Sequence, residues 1–137
     1  MTLYTKDPNF NPDLLKRTEE MEAKYKKHLV NCNHPIANIK NPAEYIIDTE
    51  FQHKNQLLAF SPNGYPYDLP EGQSHWILWV KDEFLQQDYR FTQPLDVLIP
   101  QLIFWHFPRK KVFAIWQNEP EKQSVKDLTH FHFILLD

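Results

Sequence analysis

Glycine is nearly missing from this chain, two residues in 137, while proline occurs eleven times. Rigid punctuation rather than flexible turns must therefore separate its elements. Cys32 is the single cysteine, so no intrachain disulfide can form, which suits a reducing compartment. No apolar run approaches the roughly 18 residues of a membrane span. The segment opening Met1-Thr2-Leu3-Tyr4 has no apolar signal-peptide core, and the expectation is a soluble, cytoplasmic protein. A formal charge of −3 leaves no basic surface for non-specific nucleic-acid binding, and Arg109-Lys110-Lys111 reads as a solvated strand entry. What the chain does have is aromatic mass: ten Phe, six Tyr and four Trp, the tryptophans expected in or at the edge of a core.

The order of elements predicts an α+β fold, an antiparallel sheet with helices packed on one side. Residues 1–10 read as an extended arm. Asn11 as N-cap and Pro12 at the first helical position open a helix whose stripe is Leu14, Thr18, Met21, Tyr25 and Leu29. That stripe faces either the body of the protein or a protein partner. Residues 31–40 read as loop. Asn41-Pro42-Ala43-Glu44 is a capping-box start for a short helix through Ile47. Residues 56–60 and 74–81 read as strands joined through an Asn63-Gly64 turn. Residues 82–91 are ambiguous. Thr92-Gln93-Pro94 starts a further helix, which Pro100 is expected to kink or split.

The C-terminal stretch carries the chemistry. Residues 112–118 read as a buried strand, Glu119-Pro120-Glu121-Lys122 as a loop, and residues 129–136 as an alternating strand. Thr129, Phe131, Phe133 and Leu135 point one way, and His130, His132, Ile134 and Leu136 the other. Two imidazoles thus share a face, roughly 7 Å apart along the chain. Zinc bound with His75 or His106 as third ligand is one use of such a pair. Two strand histidines simply hydrogen-bonded to neighbours is another.

Three groups of residues resemble the histidine-triad (HIT) fold over residues 56–137, leaving 1–55 as an N-terminal arm and helical extension. They are the Asn63, Tyr65, Pro66, Tyr67 turn, the His75, Trp79, Lys81 strand, and the series Trp116, Asn118, Ser124, Val125, His130, Phe131, His132. More closely, the chain resembles an uncharacterised HIT-like family found in fungi and large DNA viruses. The resemblance implies a nucleotide or other phosphorylated small molecule as ligand; no cofactor is expected, and no metal either, since no Cys or carboxylate sits at ligand spacing. It implies either a nucleotide phosphohydrolase or a nucleotidyltransferase with a histidine nucleophile. His130 and His132 would then be catalytic. Gln123 and Ser124 would stand at the phosphate, Asn118 at phosphate or sugar, Asn63 at the ribose and His75 at the back of the pocket. If the two histidines are the first and second of the triad, His132 is the nucleophile; if second and third, it is His130, which the spacing from Ser124 favours. The other expectation is an inactive HIT-like scaffold that docks a protein partner, or a second copy of itself, through the N-terminal helix.

Overall fold

The computed structural model of the protein describes residues 1–32, 41–86, 94–123, 125 and 127–137. Its centre is a five-stranded sheet in the order β1-β4-β5-β3-β2, with every neighbouring pair antiparallel. The strands are β1 (Thr2–Thr5), β2 (Leu58–Pro62), β3 (Gln73–Val80), β4 (Lys111–Trp116) and β5 (Thr129–Leu136). Helices α1 (Glu19–Cys32), α2 (Pro42–Glu50), α3 (Asp82–Leu85) and α4 (Leu95–His106) complete the described fold. None of them is long and apolar enough to cross a membrane. The α+β class and the antiparallel sheet agree with the sequence pattern.

Helices on one side only do not. Trp76, Leu78, Val80, Phe131, Phe133 and Leu135 cluster on one face with Leu98, Ile99 and Ile103 of α4. Ile77 and Trp79, on the opposite face, pack with Ala43, Ile46 and Phe51 from α2 and its C-terminal end. Farther along that face, Ala114, Trp116 and Ile134 meet Phe10 and Leu15. The cause is visible in β3 itself: Trp76-Ile77-Leu78-Trp79-Val80 is apolar on both parities, the mark of a strand covered on both faces. The first 55 residues accordingly supply an edge strand and much of the second layer.

The start of the first helix also moved. Asn11 caps only a 3-10 turn, Pro12–Leu14, after which Leu15 is extended. The α-helix waits for Thr18, whose Oγ1 accepts the Met21 N–H at 3.2 Å. Leu14, expected in the apolar stripe, is exposed. Residues 15–18 form a short strap instead, pinned where Asp68 N–H donates to the Lys16 carbonyl at 2.8 Å. The second cap behaves as expected, with Asn41 Oδ1 accepting from the Glu44 N–H at 2.9 Å. Helix α4 runs unbroken through Pro100, because Leu98, Ile99 and Ile103 bury themselves on the sheet around it. Trp105 is 84% exposed, against the expectation that every tryptophan serves the core. Thr92 and Gln93, the expected start of that helix, and residues 87–91 of the ambiguous stretch before them lie outside the described residues; residues 82–85 of that stretch form α3.

Phe133 is fully buried between α4 and the sheet. Phe133→Ala is expected to cost about 3–5 kcal/mol of unfolding free energy in urea denaturation; a loss under about 1 kcal/mol would contradict this core assignment.

Candidate functional site

The antiparallel register pairs His75 with Ile134 and Ile77 with His132, which makes His75 and His132 diagonal neighbours on one face. Their rings meet directly: His75 Nε2 and His132 Nδ1 are 2.8 Å apart. Both rings belong to an aromatic stack with Tyr67, 4.8 Å from His75, and Trp116, 5.3 Å from His132.

The direction of every hydrogen bond in this group follows from its two ends. The Tyr67 N–H donates to His75 Nδ1 at 3.2 Å, and a backbone N–H can do nothing else. A neutral His75 therefore carries its proton on Nε2 and donates it to His132 Nδ1. A neutral His132 then carries its proton on Nε2. From the far side, Trp116 Nε1–H donates to Asn118 Oδ1 at 3.2 Å, which turns the Asn118 amide nitrogen toward His132 Nε2 at 3.3 Å. Two donors thus face each other. The two N–H groups cannot satisfy each other, and one acceptor lying beside the pair, within reach of both, would satisfy them.

His130 is arranged differently. Its Nδ1–H donates to the Leu128 carbonyl at 2.9 Å, so a neutral His130 keeps a bare lone pair on Nε2. Its ring lies 5.4 Å from that of His132 and 4.9 Å from that of Trp79. Burial drives all three histidines toward the neutral form. His75 falls to about 3, with the Arg17 charge adding to the effect. His132 is held well below 6.5 by burial and by its His75, His130 and Arg17 neighbours. His130 is lowered by burial against the opposing pull of the Leu128 carbonyl.

His130, His132, Asn63 and Asn118 line one cavity of about 350 Å³. That volume lies within the roughly 300–1,000 Å³ of small-molecule sites. His75 is not among the lining residues and is bonded to His132, which is. Asn63 accepts the Tyr65 N–H at 2.8 Å on Oδ1, so its amide nitrogen leans on the His75 ring at 3.4 Å from Nδ1. Gln123 is not at the cavity; its Nε2 donates to the Asn118 carbonyl at 2.8 Å and so braces that residue's backbone. Ser124 lies outside the described residues. The zinc reading loses its third ligand: His106 lies flat on Phe60 at 3.9 Å, beside the opposite face of the sheet, and His75 spends Nε2 on His132.

Sequence reasoning missed the other wall. Tyr25, His28, Tyr45 and Tyr65 line the cavity from α1, α2 and the turn after β2, with His28 stacked on Tyr65 at 5.0 Å. Arg17 also lines it, its Nε donating to the Tyr65 carbonyl at 2.6 Å. Lys122 lines it as well, paired with Asp13 at 2.7 Å. The arrangement offers the His130 lone pair, the two opposed donors, a guanidinium and a flat aromatic wall. Chemically, that can bind an oxyanion and present a nucleophile to it.

The family model for a protein of unknown function (DUF3605) matches residues 9–136, and the chain belongs to that family. Among solved structures it is similar to the crystal structure of HTC1, at 21% identity over 90% of this chain and 76% of that one, with a TM-score of 0.55. At that identity the likeness speaks for the fold. No curated protein matches.

A histidine kept neutral by folding binds protons more weakly folded than unfolded. Above about pH 6.5 it costs nothing; below it, the unfolded chain takes up the proton and stability falls, by up to about 1.4 kcal/mol per pH unit per histidine. Urea unfolding at pH 7 and pH 5 is expected to show that loss, and His130→Gln is expected to flatten the slope by part of one histidine's share. An unchanged slope would contradict the assignment.

Proposed function

We propose that this DUF3605 protein binds a phosphorylated small molecule, with a nucleotide as the leading class, and acts on its phosphate through His130. The observation that carries this reading is the pair of opposed donors, His132 Nε2–H and the Asn118 amide, 3.3 Å apart at a cavity wall. Only an acceptor suits that position, and a phosphate oxygen accepts from several donors at once. The aromatic wall, with Tyr25 and the stacked His28 and Tyr65, suits a flat ring system.

His130 is the better nucleophile of the two histidines. His132 spends its Nδ1 lone pair on the His75 N–H and carries its proton on Nε2, whereas His130 keeps a bare lone pair on Nε2. In the proposed step, the Nε2 lone pair attacks phosphorus and an N–P bond forms. The P–O bond to the leaving group breaks, and the leaving oxygen departs with that electron pair and takes a proton from solvent. The Leu128 carbonyl stabilises the positive charge the ring acquires. Water then attacks phosphorus, loses a proton to solvent, and returns the lone pair to Nε2. The likeness of residues 56–137 to histidine-triad proteins supports the same chemistry and is part of this reading.

Thermal-shift and calorimetric titration with nucleoside monophosphates and inorganic phosphate test the binding. His130→Gln is expected to bind within a few-fold of the unaltered protein yet form no phospho- or nucleotidyl-histidine adduct by mass spectrometry. Asn118→Leu is expected to weaken binding by about tenfold or more, the worth of one charge-assisted hydrogen bond. No response to any of these ligands would refute the reading and leave the scaffold alternative standing.

A further inference from the structure

The imidazoles bring no positive charge to the cavity at neutral pH, yet an anion there needs a counterpart. Lys122 is half exposed and already paired with Asp13 at 2.7 Å. Arg17 is different, for its side chain is only 13% exposed. It is carried into the cavity wall by the extended strap between the 3-10 turn and α1. Its guanidinium carbon lies 4.0 Å from the Tyr25 ring centroid and 5.0 Å from that of Tyr67, which itself stacks on His75. Its Nε donates to the Tyr65 carbonyl at 2.6 Å, and Nη1 makes a long contact of 3.4 Å with Glu22. Two of five donors are thereby used, leaving three for a ligand.

Burying a guanidinium costs several kcal/mol unless its charge is answered. A carbonyl and a long contact to a half-exposed Glu22 answer it only in part. The aromatic faces hold the plane in a fixed orientation, which is what a bidentate oxyanion contact requires.

We propose that Arg17 is the ligand-binding cation of this site, taking the oxyanion that the His132 and Asn118 donors also address. The inference rests on the phosphate-binding reading above and adds to it a residue outside the histidine strands. The 3-10 turn at Pro12–Leu14, which delays helix α1, thereby serves to place the guanidinium. The Asp13–Lys122 pair ties that turn to the loop after β4, on the same cavity.

Titration of the whole chain with inorganic phosphate and AMP at two salt concentrations decides the matter. Arg17→Gln is expected to weaken both ligands by about 10- to 100-fold and to flatten the salt dependence. Arg17→Lys keeps the charge but not the fork, and an intermediate loss of about fivefold is expected. If Arg17→Gln proves too unstable to titrate, Arg17→Lys decides alone. A merely structural arginine would leave the ligand's salt dependence untouched. Unaltered phosphate affinity in a folded Arg17 variant overturns this inference while the phosphate reading stands. No binding by the unaltered protein overturns both.

Discussion

A 2.8 Å hydrogen bond between two neutral imidazoles, His75 and His132, sits where strands β3 and β5 lie side by side. It exists only in one register. A slip of one residue in β5 would turn His130 and His132 to the α4 face and Phe131 or Phe133 toward His75, so the cluster and the core are specified together. The apolar alternation that builds the core on one face is what delivers the imidazoles to the other. Because Tyr67 N–H and Trp116 Nε1–H close the network at its two ends, the protons within it have nowhere else to go. Function, on this account, is a consequence of hydrogen-bond direction as much as of residue type.

Much of this was legible in the sequence. His130 and His132 could be put on one face of a strand from alternation alone. A resemblance over residues 56–137 put Asn63 at a ribose and His75 at the back of a pocket; in the structure His75 bonds His132 and the Asn63 amide leans on the His75 ring. Whether His130 or His132 holds the free lone pair could not be read that way. That depends on what each ring's other nitrogen meets: the Leu128 carbonyl two residues away in one case, and His75, 57 residues away, in the other. The metal alternative failed for a similar reason, since His106 rides on the helix that covers the opposite face.

Arg17 left no signal at all. Between Lys16 and Thr18 it looks like any solvated cation, and the Asn11-Pro12 cap points to a helix running straight through it. Local cap chemistry was right about Asn11 and wrong about how far its helix would continue, because the Thr18 cap and the backbone bond from Asp68 compete for the same residues. Likewise the apolar run of β3 announced burial on both faces. The element order alone points to helices on one side and misses that run's demand for a second layer, the one that walls the cavity.

The central claim is a pattern of protons: at neutral pH, Nε2–H on His75, Nε2–H on His132, and Nδ1–H with a bare Nε2 on His130. Nitrogen-15 NMR of the imidazoles reads that pattern directly, since protonated and bare ring nitrogens resonate far apart. The account predicts those three neutral tautomers, with the His132 Nε2 proton moving on addition of phosphate. A bare Nε2 on His132, or a proton on Nε2 of His130, would contradict it.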